Sequence, residues 1–217
     1  MVDEEEQVSG VEPQQARRDQ GPLTDRGVQR RETLLAAARV VFERQGFVDT
    51  RVSDIVREAK VSQGTFYTYF DTKDAIFTDV ARGVIDSMLL SMAPPVPEAE
   101  FHDRITDSVR RFLHAYRPNA RMIGLIEQVG TFSTELRDLR LDLRETFVRR
   151  TQRGIARLVD AGVTRPEIDV EYTAEALGAM LEYTCYVWFS LGREFDEERL
   201  VATLSDIWVQ ALAPTRS

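Results

Sequence analysis

The sequence predicts an all-α protein of about nine helices, in which an N-terminal three-helix helix-turn-helix domain precedes a larger helical domain. From about Leu23 onward, apolar residues recur every three or four positions, which is the spacing of one helix face. No segment of useful length alternates apolar and polar residues as a half-buried β-strand does. No stretch repeats another, so a repeat architecture is not expected.

Composition limits the classes of protein that this chain can be. Of its 217 residues, 43% are hydrophobic, an ordinary share for a globular core. No apolar run approaches the roughly 18 residues of a membrane span, and the acidic residues 1–10 do not resemble a secretory signal. The single cysteine, Cys185, cannot form an internal disulfide. These features predict a cytoplasmic protein without membrane contact.

The net charge of −8 argues at first against a nucleic-acid partner. The distribution of charge weakens that objection. Residues 1–20 carry six acidic and two basic residues, and residues 76–217 carry twenty-two acidic and seventeen basic residues. Residues 21–75 carry eight acidic and nine basic residues. Only the middle segment is not acidic, and DNA affinity depends on where positive charge lies. The charge alone therefore decides nothing about DNA.

Glycine and proline divide the chain into three predicted parts. Residues 1–22 are polar and acidic, and we expect a disordered tail. Residues 23–75 are expected to form the helix-turn-helix domain and residues 76–217 the larger domain. Helices are expected at about 25–44, 52–59, 62–70, 71–92, 100–116, 119–129, 133–160, 170–191 and 196–212. Thr50 is the expected N-cap of the second of these helices, and Asp71 or Thr72 that of the fourth.

The third predicted helix carries an outward polar face. Ser62 is placed to cap its first turn, and Val61 and Phe66 are placed for the hydrophobic staple that sets the direction of chain entry. Together with the preceding short helix and a turn of about three residues, this pattern indicates helix-turn-helix geometry. Val61, Phe66 and Phe70 should point inward, and the outward positions are Gln63, Gly64, Thr65, Tyr67 and Thr68, with Tyr69 at the edge.

These outward residues have chemistry suited to the DNA major groove. Glutamine can bind adenine through two hydrogen bonds, and threonine offers a hydroxyl to base edges and a methyl group to thymine. Gly64 would let the backbone approach the groove floor, at a cost in helix propensity of about 1 kcal/mol. Tyr67, Tyr69 and Lys73 suit phosphate, since Lys73 lies beside the free N–H groups at the start of the fourth helix.

Residues 28–81 resemble the DNA-binding domain of the TetR family of bacterial transcriptional regulators. The run from Val61 to Phe70, followed by Lys73, is highly specific, and the match covers about a quarter of the chain. The other matching residues are Leu34, Ala37, Ala38, Phe42, Gly46, Phe47, Val52, Asp54 and Ile55.

The resemblance implies a sequence-specific regulator that binds double-stranded operator DNA. The third helix would enter the major groove, and the implied DNA-binding residues are Thr50, Gln63, Gly64, Thr65, Tyr67, Thr68, Tyr69 and Lys73. One position departs from the family, in which glycine usually stands where this chain has Lys60. If φ is positive there, lysine costs about 1 kcal/mol; whether Lys60 is tolerated strain or a phosphate contact stays open.

The family also implies a homodimer formed through the last two helices. The apolar residues of these helices could pack against a second subunit or within their own. Those residues are Leu177, Leu181, Trp188, Val201, Leu204, Ile207, Trp208 and Ala211. Dimerisation itself is expected, because one recognition helix covers too few base pairs and two-fold proteins bind half-sites about 34–36 Å apart.

The larger domain is expected to bind a small apolar or aromatic effector. Its aromatic residues and methionines either fill a packed core or line an adaptable pocket. The candidates for the pocket are Phe112, Tyr116, Phe147, Tyr183 and Trp188. By the resemblance, effector binding would shift the fourth helix, change the spacing of the two recognition helices and release the operator.

No metal, cofactor or catalytic site is expected. His102 and His114 lie near one helix without a cluster of ligands at metal spacing, and Cys185 is expected to be an inert buried residue. The arginines of residues 133–160 are interleaved with acids, which predicts a solvated, salt-bridged face.

The alternatives to a regulator are a helical small-molecule-processing enzyme with an accessory helix-turn-helix and a non-specific architectural DNA protein. The absence of catalytic motifs disfavours the enzyme, and the net charge disfavours the architectural protein.

Overall fold

The computed structural model describes residues 24–92, 100–131 and 134–212. In these ranges the chain forms nine α-helices and one 3-10 turn, and no strand. The helices are α1 (Asp25–Gln45), α2 (Val52–Ala59), α3 (Gln63–Tyr69), α4 (Lys73–Ser91), α5 (Phe101–Tyr116), α6 (Ala120–Val129), α7 (Thr134–Asp160), α8 (Val170–Phe189) and α9 (Glu197–Leu212). The all-α prediction is confirmed, and the tail predicted for residues 1–22 lies outside the described residues.

Local side-chain chemistry fixes the ends of the first four helices. The Thr24 hydroxyl accepts a hydrogen bond from the Gly27 N–H at 3.3 Å, and α1 ends where Gly46 takes φ 85°. Ser62 caps α3 and Thr72 caps α4, as predicted. The predicted cap of α2 is wrong, because Arg51 and not Thr50 occupies the N-cap position. The Asp54 carboxylate accepts the Arg51 backbone N–H at 3.1 Å and thereby satisfies one free donor of α2.

The first three helices share one small apolar core. The side chains of Leu34, Phe42, Ile55 and Phe66 are completely buried where α1, α2 and α3 meet. Phe77 of α4 joins them, with its ring centroid 5.2 Å from that of Phe42 in an edge-to-face arrangement. This core fixes the position of α3 and leaves its opposite face to solvent.

Helix α4 connects the small helix-turn-helix unit to the larger one. Its first turns bury Ile76 and Phe77 against the N-terminal core, and its later turns bury Val84 and Met88 against the following helices. The 19 residues form one uninterrupted helix. A displacement at one end of α4 therefore has a direct structural path to the other.

The larger unit is a helical bundle with α6 near its centre. Helix α5 packs against α9, and α7 packs against α8. The 3-10 turn Arg117–Asn119, which contains Pro118, joins α5 to α6 and was not predicted. Helix α8 ends at Phe189, two residues earlier than expected. None of the described helices is long and apolar enough to cross a membrane.

Candidate DNA-binding face and ligand cavity

The turn between α2 and α3 holds α3 by its first residues. The Ser62 Oγ accepts a hydrogen bond from the Thr65 N–H at 3.1 Å and lies 2.9 Å from the Thr65 Oγ1. Before it, Lys60 takes φ 55° and ψ 42°, the left-handed conformation that glycine adopts most easily. The positive φ considered for Lys60 is therefore present, and the lysine side chain is exposed.

Helix α3 presents the face that its sequence predicts. Phe66 is completely buried and Phe70 nearly so, while Gln63 and Gly64 are exposed and Tyr67 is 48% exposed. Thr68 is also exposed, and its hydroxyl donates to the Gly64 carbonyl at 3.0 Å. Thr65 and Tyr69 lie half-buried at the two edges of this surface. The outward face is accessible to a groove of DNA without any rearrangement.

The structure does not support the predicted phosphate contact of Lys73. Its Nζ donates to the carbonyl oxygens of Phe47 at 2.7 Å, Thr50 at 2.9 Å and Val48 at 3.3 Å. The same ammonium group lies 4.3 Å from the centroid of the Phe47 ring. An ammonium group has three protons, so these carbonyls use its full donor capacity. Partial burial lowers the pKa of Lys73, and the side chain clamps the α1–α2 loop to the start of α4.

Thr50 is likewise unavailable for the DNA contact that was predicted. Its side chain is buried, and its hydroxyl donates to the Gly46 carbonyl at 2.5 Å. The neighbouring Arg51 is exposed instead, at the first turn of α2. Since Lys73 holds the Thr50 carbonyl beside the start of α4, Arg51 lies near the end of α3. Arg51 and Lys60 are exposed cations at the two ends of α2, and of these the sequence analysis considered only Lys60 as a phosphate contact.

A cavity of about 580 Å³ lies in the larger unit, a size within the usual range of small-molecule sites. Apolar side chains from α4, α5, α6, α7, α8 and α9 form much of its wall, among them Met88, Phe112, Ile123, Leu143 and Leu181. The rings of Phe112 and Phe147 meet edge to face with centroids 5.9 Å apart. The cavity directly contacts the second half of α4 through Ile85, Met88 and Met92.

Two of the five predicted pocket residues line this cavity, namely Phe112 and Phe147. Tyr116 and Tyr183 border a second cavity of about 480 Å³ instead, because Tyr116 lies one turn beyond Phe112 and Tyr183 lies on the outward side of α8. Trp188 lines neither of these cavities. It lies about two turns beyond Leu181, where its ring stacks on Phe189 with centroids 4.6 Å apart. The predicted lining is therefore corrected for these three residues.

Comparison with known proteins assigns the helix-turn-helix unit. Residues 34–80 match the family model for bacterial regulatory proteins of the tetR family. These residues form a helix-turn-helix domain of the TetR type. The matched range contains most of α1, all of α2 and α3 with their turn, and the first turns of α4. The chain is a DNA-binding transcriptional regulator, as its sequence predicted.

Relatives of the TetR family align with most of the chain. The uncharacterized transcriptional regulator YdgC of Bacillus subtilis is 25% identical over 207 residues, which cover 88% of this chain and 97% of YdgC. The transcriptional regulator EthR of Mycobacterium tuberculosis is 24% identical over 191 residues, covering 86% and 88%. A TetR-family regulator from Syntrophomonas wolfei superposes with a TM-score of 0.73 at 19% identity, covering 85% of this chain and 95% of that one. The larger unit therefore shares the TetR fold.

Two sets of charged side chains lie at or beside the larger cavity. In the first, Arg140 pairs with Glu127, and Arg144 pairs with Glu175 and lies 3.6 Å from Glu182. Burial, together with the nearby Glu127 carboxylate, raises the pKa of Glu182. Glu127, Arg140, Arg144 and Glu182 lie in the wall shared with the second cavity, and each of the two arginines has a carboxylate partner.

The second set consists of cations alone. Arg104, Arg150, Arg153 and Arg157 are among the residues that line the larger cavity, and in the described part of the chain none of them forms an ion pair with a carboxylate. Arg150 donates to the Met92 carbonyl and Arg153 to the Arg149 carbonyl at 3.1 Å. Burial and the charges of Arg153 and Arg157 lower the pKa of Arg150. The salt-bridged face predicted for α7 therefore holds only for part of that helix.

The last two helices bury four of the eight residues considered for a dimer contact within their own subunit. Leu177 and Leu181 of α8 and Val201 and Leu204 of α9 are all less than a tenth exposed. The outward side of α8 carries Tyr172, which is 74% exposed, and Tyr183, which is 64% exposed. The exposed Ala176 and Ala179 lie between these tyrosines at helical spacing. Ile207 of α9 is 42% exposed.

The remaining candidate residues have ordinary structural environments. His114 lies 2.8 Å from the Glu197 carboxylate and His102 lies 3.2 Å from that of Asp206. No group of three potential metal ligands occurs among the described residues. Cys185 is completely buried, and burial raises the pKa of its thiol to about 12. These residues form contacts within the fold and leave the α3 face and the larger cavity as the sites of interest.

Proposed function

We propose that this regulator is a dimeric repressor that binds a palindromic operator and releases it when a small molecule occupies the cavity of about 580 Å³. The observation that carries the proposal is the position of α4. One end of this helix holds the loop beside the DNA-binding face, and the other end forms part of the cavity wall. The boundaries proposed are residues 23–75 for DNA binding and 76–217 for ligand binding and dimerisation.

The α3 face supplies the proposed contacts to bases. Gln63 and Tyr67 are exposed at the centre of this face, and Gly64 leaves room for the backbone to approach the groove. A glutamine that makes two hydrogen bonds to adenine discriminates against other bases by about 1–3 kcal/mol. Thr65, Thr68 and Tyr69 complete the surface. The backbone of DNA is then bound by Arg51 and Lys60, since the amino group of Lys73 is engaged by carbonyl oxygens.

The proposed release follows from the packing of α4. A ligand in the cavity contacts Met88 and Met92, near the end of the helix. Because Ile76 and Phe77 bind the other end of the helix to the N-terminal core, the core moves with it. In a dimer, a small tilt changes the distance between the two α3 helices, and only one spacing fits half-sites one DNA turn apart.

A second copy of this chain is the proposed occupant of the outward side of α8. Tyr172, Ala176, Ala179 and Tyr183 follow one another at intervals of four, three and four residues, so they form one apolar stripe. Small residues between two tyrosines allow close approach of a symmetry-related helix. A two-fold contact of this kind is self-complementary and orients both α3 helices toward one face of the DNA. As a repressor of chromosomal genes, the protein would act in the bacterial cytoplasm.

The test is selection of binding sites from a pool of random DNA duplexes, with sedimentation of the protein–DNA complex. The expected result is a palindrome with half-sites about 10 base pairs apart, centre to centre, bound by two chains. Enrichment of no sequence, or of a single half-site bound by one chain, would contradict the proposal. The variant Tyr183→Glu tests the dimer contact, with Tyr67→Glu as a control that changes the DNA face by the same substitution. Of these two variants, only Tyr183→Glu should sediment as a monomer.

A further inference from the structure

The arginines at the larger cavity differ in how their charge is balanced. Arg140 and Arg144, at the wall shared with the second cavity, are paired with carboxylates. Arg150, Arg153 and Arg157 have no carboxylate partner among residues 24–92, 100–131 and 134–212. The cavity therefore carries excess positive charge on one part of its wall.

Helix geometry concentrates that charge. Arg150, Arg153 and Arg157 are separated by three and four residues, so they share one face of α7. Arg104 of α5 lines the same cavity. Like charges at this spacing destabilise each other. Burial, and after it the charges of Arg153 and Arg157, lower the pKa of Arg150. An anion bound between these groups would remove the repulsion and accept charge-assisted hydrogen bonds.

The rest of the cavity has the opposite character. Met88, Ile123, Leu143 and the edge-to-face pair of Phe112 and Phe147 form an apolar surface. A hydrophilic anion such as inorganic phosphate would leave this surface without contacts. A neutral hydrocarbon would fill it but leave the arginines unpaired. The combination selects a molecule that has both parts.

We infer that the effector is an amphipathic anion, in which an aliphatic chain in the apolar part carries a carboxylate or phosphate group bound by Arg150, Arg153, Arg157 and Arg104. The inference rests on the proposed function, because it names the class of ligand for the proposed effector site. It also changes the sequence-based expectation of a purely apolar or aromatic effector. The apolar part agrees with that expectation, and the charged part is added by arginines whose position the sequence did not reveal.

The experiment compares three probes with the same twelve-carbon chain: dodecanoate, dodecyl phosphate and dodecan-1-ol. Binding to the full-length protein is measured by calorimetry and by tryptophan fluorescence, since Trp208 lines the cavity. We expect at least one of the two anions to bind about tenfold or more tightly than the alcohol, the gain of a charge-assisted contact. The better of the two anions identifies the head group as carboxylate or phosphate. Equal affinity for the alcohol and both anions, or no binding of any probe, overturns the inference.

A pair of double variants separates the arginine cluster from the overall charge. Arg153→Gln with Arg157→Gln removes two cavity cations, and both side chains are exposed, so the fold should persist. Arg137→Gln with Arg149→Gln removes two exposed cations of the same helix that do not line the cavity. The first variant should lose the preference for the anion and keep its affinity for dodecan-1-ol, while the second should match the unmodified protein. An equal loss in both variants would contradict the assignment.

Release of operator DNA is measured separately with the same probes. Tight anion binding that leaves operator affinity unchanged would refute ligand-controlled release but preserve the assignment of the ligand class. Release by dodecan-1-ol at the same concentrations as by the anions would refute the assignment but preserve ligand-controlled release. The two proposals can therefore fail independently.

Discussion

Replacing Lys73 by methionine tests whether this residue builds the DNA-binding unit or contacts DNA. Methionine keeps an unbranched chain and removes the ammonium group. The carbonyls of Phe47 and Thr50 then lose hydrogen bonds of 2.7 and 2.9 Å that lie in part-buried surroundings. The carbonyl of Val48 accepts from the same group at an exposed site, so water can replace that bond.

The expected loss of stability can be worked from these contacts. A buried acceptor left without a donor costs about 1–3 kcal/mol, and the cation–π contact with Phe47 contributes about 0.5–1 kcal/mol. Because both carbonyls belong to one loop and relax together, we expect a total of about 2–4 kcal/mol in the free energy of unfolding. Urea denaturation followed by circular dichroism measures this quantity.

The salt dependence of DNA binding separates the two roles of Lys73. A lysine that neutralises one phosphate contributes about 0.9 to the slope of log K against log salt concentration. In Lys73→Met this slope should stay unchanged when measured below the denaturation range. The control is Lys60→Met, at an exposed lysine, which should lower the slope and leave stability nearly unaltered. Unchanged stability in Lys73→Met with a reduced slope would refute the reasoning and restore the phosphate contact.

Three further outcomes test other parts of the structure. Lys60→Gly should stabilise the fold by about 0.5–1 kcal/mol in urea denaturation, because relief of the left-handed strain exceeds the added entropy of the unfolded chain; destabilisation would contradict this. Gln63→Ala and Tyr67→Ala should each weaken operator binding by about 1–3 kcal/mol, with little change on random DNA in titrations. The Cys185 thiol, with its pKa raised to about 12, should react with a thiol reagent only after unfolding; rapid labelling of folded protein would refute its burial.

Local signals in the sequence were sufficient to predict the helices and the orientation of α3. Ser62 and Thr72 cap their helices through hydrogen bonds that involve residues three positions away. The alternation of Phe66, Tyr67 and Phe70 between core and solvent follows from helical periodicity alone. Such short-range interactions can be predicted from the sequence because both partners lie within one or two helical turns of each other.

Long-range packing decided the side-chain environments that the sequence did not reveal. Lys73 is 26 residues from its partner Phe47, and nothing near Lys73 in the sequence indicates that a loop carbonyl lies above it. Composition likewise suggested that aromatic residues form the pocket. The position of Tyr183 on the outward side of α8 depends on which side of that helix faces α7. The basic part of the cavity was missed because Arg150 and Arg157 differ from their salt-bridged neighbours only in having no facing carboxylate within the described parts of the chain.

In the proposed mechanism, α4 couples DNA binding to a ligand in the larger cavity. The Lys73 clamp joins the first turn of α4 to the loop before α2, and the Arg31–Asp79 ion pair joins its second turn to α1. Met88 and Met92 place the far end in the cavity wall. A packed core resists gradual deformation, so in this mechanism a ligand that displaces Met88 would move α1, α2 and α3 together with the helix. The Lys73 clamp is therefore the contact through which, in this mechanism, the cavity would act on the DNA-binding face.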